Sequence, residues 1–286
     1  MARRGVLAVA AVMVLAGAGC SAVSIPGDGP VLKSRMRAVA DAWDASPAVQ
    51  SWRQGFFPLA PLVREPVGAW HSGADKQAYL EQNIVFPGRA AVRESGTEGA
   101  VRWAGGQRLA VPLMPAGEAY RRLAPGGGNG RPHPLRITGA RLGEIDLLTS
   151  RGPAKVPAWL FTLAGYDTPL VRVAVEDSKL PVTPAQVAVD AASALVLTAI
   201  SADGRVLTVS AGHGDCDGGA RVEVLEAIDS VVLSGSAIPS KEDRDQVCDL
   251  VLRTEPVTVR LSHPLAGRIP LDALTGAPLP IATSAR

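Results

Sequence analysis

Glycine and proline punctuate this chain so often that long helices are excluded over most of its length. The 286 residues hold 30 Gly and 23 Pro. Past residue 134 the apolar runs between turn signals are short and rich in Val, Ile, Leu and Thr, which suits strands. Strand candidates are 135–149, 156–163, 170–175, 195–200, 205–209, 221–226, 230–233 and 257–261. Leu170-Val171-Arg172-Val173-Ala174-Val175 alternates as a half-buried strand does. Asp203-Gly204 supplies the turn of a hairpin between two of these runs. This pattern predicts a mainly β fold, with an antiparallel sandwich or barrel-like region over 135–286. No repeat in the range of about 20–50 residues is visible, which argues against a propeller or solenoid.

A smaller α+β region is expected over residues 31–123. Val31, Leu32, Met36, Val39, Ala40 and Trp43 recur at helical spacing, with charges on the other side, and predict a helix over 31–46. Its apolar stripe is read as packing on its own domain, with Pro47 ending it. Residues 52–86 read as irregular because prolines and glycines break them, yet Trp52, Phe56, Phe57, Leu59, Leu62, Val63 and Trp70 require a packing partner. Residues 101–111 read as a hairpin turning at Gly105-Gly106, and 117–123 as one or two helical turns. The run APGGGNGRPHP, residues 124–134, reads as a linker and a domain or subdomain boundary. It lacks the G-x-x-x-x-G-K spacing of a phosphate-binding loop.

Charge narrows the function classes. With 29 Lys+Arg against 27 Asp+Glu, the formal net charge is +2. A nucleic-acid binder needs a cationic face to displace counterions from phosphates, so no nucleic-acid partner is expected. Hydrophobic residues at 47% also exclude an acidic disordered chain.

The first 20 residues read as a processing segment. Arg3 and Arg4 precede an apolar run over 5–19 that is short for a permanent membrane span. The run ends Leu15-Ala16-Gly17-Ala18-Gly19-Cys20, which resembles the lipobox of bacterial lipoproteins, with Gly17 where that family usually has Leu. The resemblance implies cleavage before Cys20 and a diacylglycerol thioether on its sulfur. Two or more acyl chains anchor a protein stably, where one does so only marginally. The chain is thus expected at the extracytoplasmic face of the cell membrane, held by the lipid on Cys20, with residues 21–30 as a tether. Without residues 1–20 the charges balance at 27 against 27, so the lipid, rather than charge, supplies the membrane affinity.

Cys216 and Cys248 then remain, an even pair in a chain bound for an oxidising compartment. That arithmetic predicts a disulfide, worth roughly 3–4 kcal/mol for a loop of about 32 residues in the chain-entropy model.

No catalytic motif emerges. His71, His133, His213 and His263 form no H-E-x-x-H, and neither G-x-S-x-G nor S-x-x-K with K-T-G occurs. His213, Asp215 and Asp217 flank Cys216, and Glu242, Asp243, Asp245 and Asp249 lie near Cys248. Such oxygen-rich loops can bind calcium, but the spacing is not that of an EF-hand, and solvated loop tips are the simpler reading. Glu144 and Asp146, at i and i+2, are read as an exposed strand face rather than an acid–base pair. Trp43, Trp52, Trp70, Trp103 and Trp159 are read as core or rim rather than as a carbohydrate platform. No catalytic residue, metal ligand or cofactor is assigned.

Residues 151–161, 216–223 and 257–265, with the Ala/Arg-rich, Lys-poor composition, resemble secreted lipoproteins of the actinomycete type. That resemblance implies location and a β-rich body, and carries no activity. The expected function is non-enzymatic binding of an envelope protein or small ligand. The alternatives are a cell-wall or glycan hydrolase with dispersed carboxylates, and an envelope scaffold or assembly factor.

Overall fold

In the computed structural model, the described residues are 30–68, 70–86, 97–126, 128, 130–180, 195–240 and 251–282. The processing segment with Cys20, the tether before Pro30, and Cys248 with its neighbouring acids lie outside them. In chain order the elements are α1 (Pro30–Asp44), α2 (Ala48–Gln54), β1 (Val63–Arg64), α3 (Gly73–Leu80), β2 (Ile84–Val85), β3 (Glu98–Trp103), β4 (Arg108–Pro112), α4 (Ala116–Leu123), β5 (Leu135–Thr149), β6 (Gly152–Leu163), β7 (Leu170–Val173), β8 (Val196–Ile200), β9 (Val206–Gly214), β10 (Ala220–Glu226), β11 (Ser230–Ala237), β12 (Leu252–Arg260) and β13 (Ile269–Asp272). The fold is mainly β, as the punctuation predicts.

A long hairpin of β5 and β6 organises the first sheet. β5 pairs with β6 from Thr149↔Gly152 to Ile137↔Leu163. On its other side, β6 takes β3 at Lys155 and Ala154, and β7 from Ala158 to Phe161. β4 then extends β3, β1 extends β7, and β2 joins β5 in parallel. Because side chains alternate along a strand, the hairpin feeds two cores. Trp159, Phe161 and Leu163 join Ala78 of α3 and Ala119 and Leu123 of α4. Ala154 and Val156 point the other way, into a cluster with Phe56, Val101, Trp103 and Val111.

The remaining strands form two facing three-stranded sheets, β10-β11-β13 and β12-β9-β8. β11 is covered on both faces, which is why Val231-Val232-Leu233 is a continuous apolar run rather than an alternating one. One cover is the β9 sheet; the other is α1. Leu32, Met36, Val39, Ala40 and Trp43 all belong to this core with Leu207, Val209, Leu233 and Leu271. Trp43 Nε1 donates to the Gly276 carbonyl at 2.8 Å, and Arg35 Nε to the Ala273 carbonyl at 3.0 Å. The apolar stripe of the first helix therefore packs on its own fold, except for Val31, which is exposed.

Several expectations change. β3, before residues 124–134, pairs with β6 after them, and α1 packs with strands more than 150 residues away. The Gly/Pro run is thus a connection within one sheet rather than a boundary between units. Residues 52–86, read as irregular, contain part of α2, all of α3, and the short β1 and β2. Ser72 starts α3 by accepting from the Asp75 N–H at 3.1 Å, a local capping signal that the surrounding prolines obscure. Past the last strand candidate, 257–261, the chain forms β13, which lies parallel to β11, so the β region is not purely antiparallel. The hairpin at Gly105-Gly106 forms, but with positive φ at Gly106 alone, and the Gly106 N–H donates to the Trp103 carbonyl at 3.0 Å. Asp203-Gly204 turns β8 into β9 in the same way, with Gly204 at φ 67°.

Candidate functional site

The concave feature of the first sheet is a groove of about 630 Å³ over β3, β4, β5 and β6. Strand alternation builds it. Val101 and Trp103 point into the core, so Glu98, Ala100 and Arg102 face the groove, and Arg108 and Ala110 do so from β4. Leu142 and Glu144 of β5 and Pro157 of β6 complete the surface. Farther along this face of β5 and β6, α3 and α4 cover the sheet; here it is left concave.

Gly99 stands opposite Val111, on the face of the hairpin that Val101 and Trp103 turn to the core, and that side is tightly filled. A methyl group there would lie 2.7 Å from Leu113 Cδ2 and 3.2 Å from Pro157 Cγ. The rim is charged. Arg102 and Arg108 are directly opposite each other across the hairpin, a disfavoured like-charge pair. Glu144 relieves it by ion-pairing with Arg102. An apolar floor with a few charged groups at the rim suits recognition. β4 lies at one end of the strand order, and among the described residues it pairs only with β3.

Other residues singled out from sequence are dispersed. Asp146 ion-pairs with Lys155 at 2.7 Å, so Glu144 and Asp146 hold separate cationic partners. His71 stacks on Tyr166 at 4.0 Å. His133 lies in a loop at φ 56°, His213 Nδ1 is 2.8 Å from the Gly214 carbonyl oxygen, and His263 is 3.8 Å from Glu226. Cys216 sits in the turn between β9 and β10. Beside it, Asp215 ion-pairs with Arg253, and Asp217 accepts from the Gly214 N–H at 2.6 Å. Among the described residues, no three His, Cys, Asp or Glu side chains cluster as metal ligands would.

The tryptophans are structural. Trp103 Nε1 donates to Thr149 Oγ1 at 3.0 Å while the Arg151 guanidinium covers its ring at 3.8 Å. Trp159 Nε1 donates to the Met114 carbonyl at 2.7 Å, and Trp52 stacks on Phe57 at 4.9 Å. Trp70, at the rim, stacks on Tyr79 at 4.9 Å and donates to Glu65 at 2.7 Å.

Sequence reasoning missed Glu98, Arg102 and Arg108. Their signal was present: charged residues alternate with Val101 and Trp103 in a recognised hairpin. What sequence could not supply was the strand that brings Glu144 alongside. None of the described helices is long and apolar enough to cross a membrane, which says nothing of strands. Scans of protein-family models, of curated proteins and of solved structures find nothing that matches this chain.

Proposed function

We propose that this chain is an extracytoplasmic lipoprotein that binds an envelope protein or small ligand without chemical turnover. The observation carrying this reading is the lipobox-like Leu15–Cys20 run, followed by only a short tether before α1. The lipid on Cys20 holds the body at the membrane surface. The groove over β3–β6 supports the binding role, because Leu113, Leu142 and Pro157 give it an apolar floor and Arg102, Arg108 and Glu144 a charged rim. A Cys216–Cys248 disulfide, closing the segment between β9 and β12, belongs to the same reading and fits an oxidising compartment.

Crosslinking in intact cells tests it, comparing the full-length chain with Cys20→Ser. The expected result is one envelope component captured by the anchored form and lost on Ala100→Trp, whose side chain enters the groove. Turnover of a labelled wall substrate, abolished by one Asp or Glu substitution, would replace binding with hydrolysis.

A further inference from the structure

Arg172 stands on the wrong side of its strand. It shares a face with Leu170 of β7 and with Ala174 just beyond the strand, both buried, and lies opposite Trp159 of β6 and Val63 of β1. Leu170, Trp159 and Ala174 belong to the core that α4 closes. The Arg172 side chain is half-buried, and its Nε is shielded from solvent with no hydrogen-bond partner. An unsatisfied buried donor costs about 1–3 kcal/mol, more when charged, so such a group calls for a partner.

The neighbouring carboxylates are engaged elsewhere. Glu118 of α4 ion-pairs with Arg121 and takes Arg122 Nε at 2.9 Å, and Glu176 pairs with Arg122. Three guanidiniums therefore share two carboxylates, and Arg172 is the one without an ion pair. Burial, then the charge of Arg122, pulls the Arg172 guanidinium below its ordinary value, with Glu118 opposing. The guanidinium is planar and presents paired N–H groups that match the two oxygens of a carboxylate or phosphate.

We infer that Arg172, with Arg122 of α4 beside it, is a binding site for an oxyanion, the carboxylate or phosphate group of a small ligand. The anion accepts from Arg172 and neutralises the excess charge that α4 and β7 share. The site is distinct from the groove and stands on its own residues, whether or not the chain carries a lipid.

The test follows the arginine Nε–H signals by NMR in the full chain, ¹⁵N-labelled and held in nonionic micelles. Inorganic phosphate, then acetate, is titrated in at constant ionic strength. The expected result is a saturable shift of the Arg172 signal, with affinity about tenfold weaker in Arg122→Gln, equivalent to about 1.4 kcal/mol. Arg172→Lys, which keeps the charge but loses the fork, should bind more weakly than the parent. A response to phosphate alone or to acetate alone assigns the ligand group. Shifts that rise linearly without saturating, or an unchanged affinity in Arg122→Gln, would overturn the site. Arg122→Gln keeps Arg172 observable, so the test does not depend on whether Arg172 variants fold.

Discussion

Replacing Trp43 by Ala should destabilise strands far away in sequence while sparing those that follow it first. Trp43 is 0% exposed, in the core shared with β9, β11 and β13. Truncating a buried Trp to Ala costs about 3–5 kcal/mol through lost packing and the cavity left behind. The Gly276 carbonyl also loses its indole donor, which adds about 1 kcal/mol or more where water does not replace it. A total near 5 kcal/mol approaches the whole stability of many domains and should lower Tm by roughly 10–20 °C. Trp43→Phe keeps most of the ring and should lose about 1–2 kcal/mol. Hydrogen exchange resolved by segment is the assay. Protection should fall first in β11 and β13, whereas β5 and β6 retain theirs. Equal loss in β5–β6, or a Tm change of only a degree or two, would refute the packing of α1 on the C-terminal sheets.

Asp272, 2% exposed, accepts from the N–H groups of Leu195 at 3.0 Å and of Leu274 and Thr275 at 2.8 Å, so Asp272→Ala should cost roughly 3 kcal/mol or more by denaturant titration. Glu226 should make the fold acid-sensitive: burial raises its carboxyl, but the Ser262 N–H, Arg268 and the His263 N–H outweigh that and hold it at about 2. Because this value lies below the unfolded one near 4.5, the stabilisation is present above about pH 4.5 and is lost as pH falls towards 2; Glu226→Gln should remove that slope from a plot of Tm against pH. Gly204→Ala forces an L side chain to φ 67° and should cost about 1 kcal/mol by thermal melting. Reduction, followed by alkylation, should add two alkyl groups at Cys216 and Cys248 and remove about 3–4 kcal/mol of stability; alkylation of both without prior reduction would contradict the bridge.

The β architecture was legible because its signals are local. Asp203-Gly204 and Gly105-Gly106 fix hairpins, and the strands beside them follow. The 31–46 stripe also declared itself, since six apolar residues at helical spacing need a partner. Which partner it found was not legible: contact between α1 and β11 spans about two thirds of the chain, and nothing local encodes it. The same limit hid β13, whose Ile269-Pro270-Leu271-Asp272 run contains a proline and pairs in parallel with a distant strand. The 124–134 run misled for the opposite reason. Gly and Pro report that backbone cannot be helix or central strand, but not whether the elements on either side meet again. Arg172 was concealed by good alternation: its polar position implied a solvent face, yet both faces of β7 are covered.

The claim that organises the functional reading is that Cys20 becomes a lipidated N-terminus. Intact-mass and N-terminal peptide spectrometry on the membrane fraction of expressing cells tests it directly. The expected result is a mature chain beginning at Cys20 and carrying diacylglycerol, with Cys20→Ser released from the membrane. A chain retaining Met1, or one beginning with an unmodified Cys20, would contradict it.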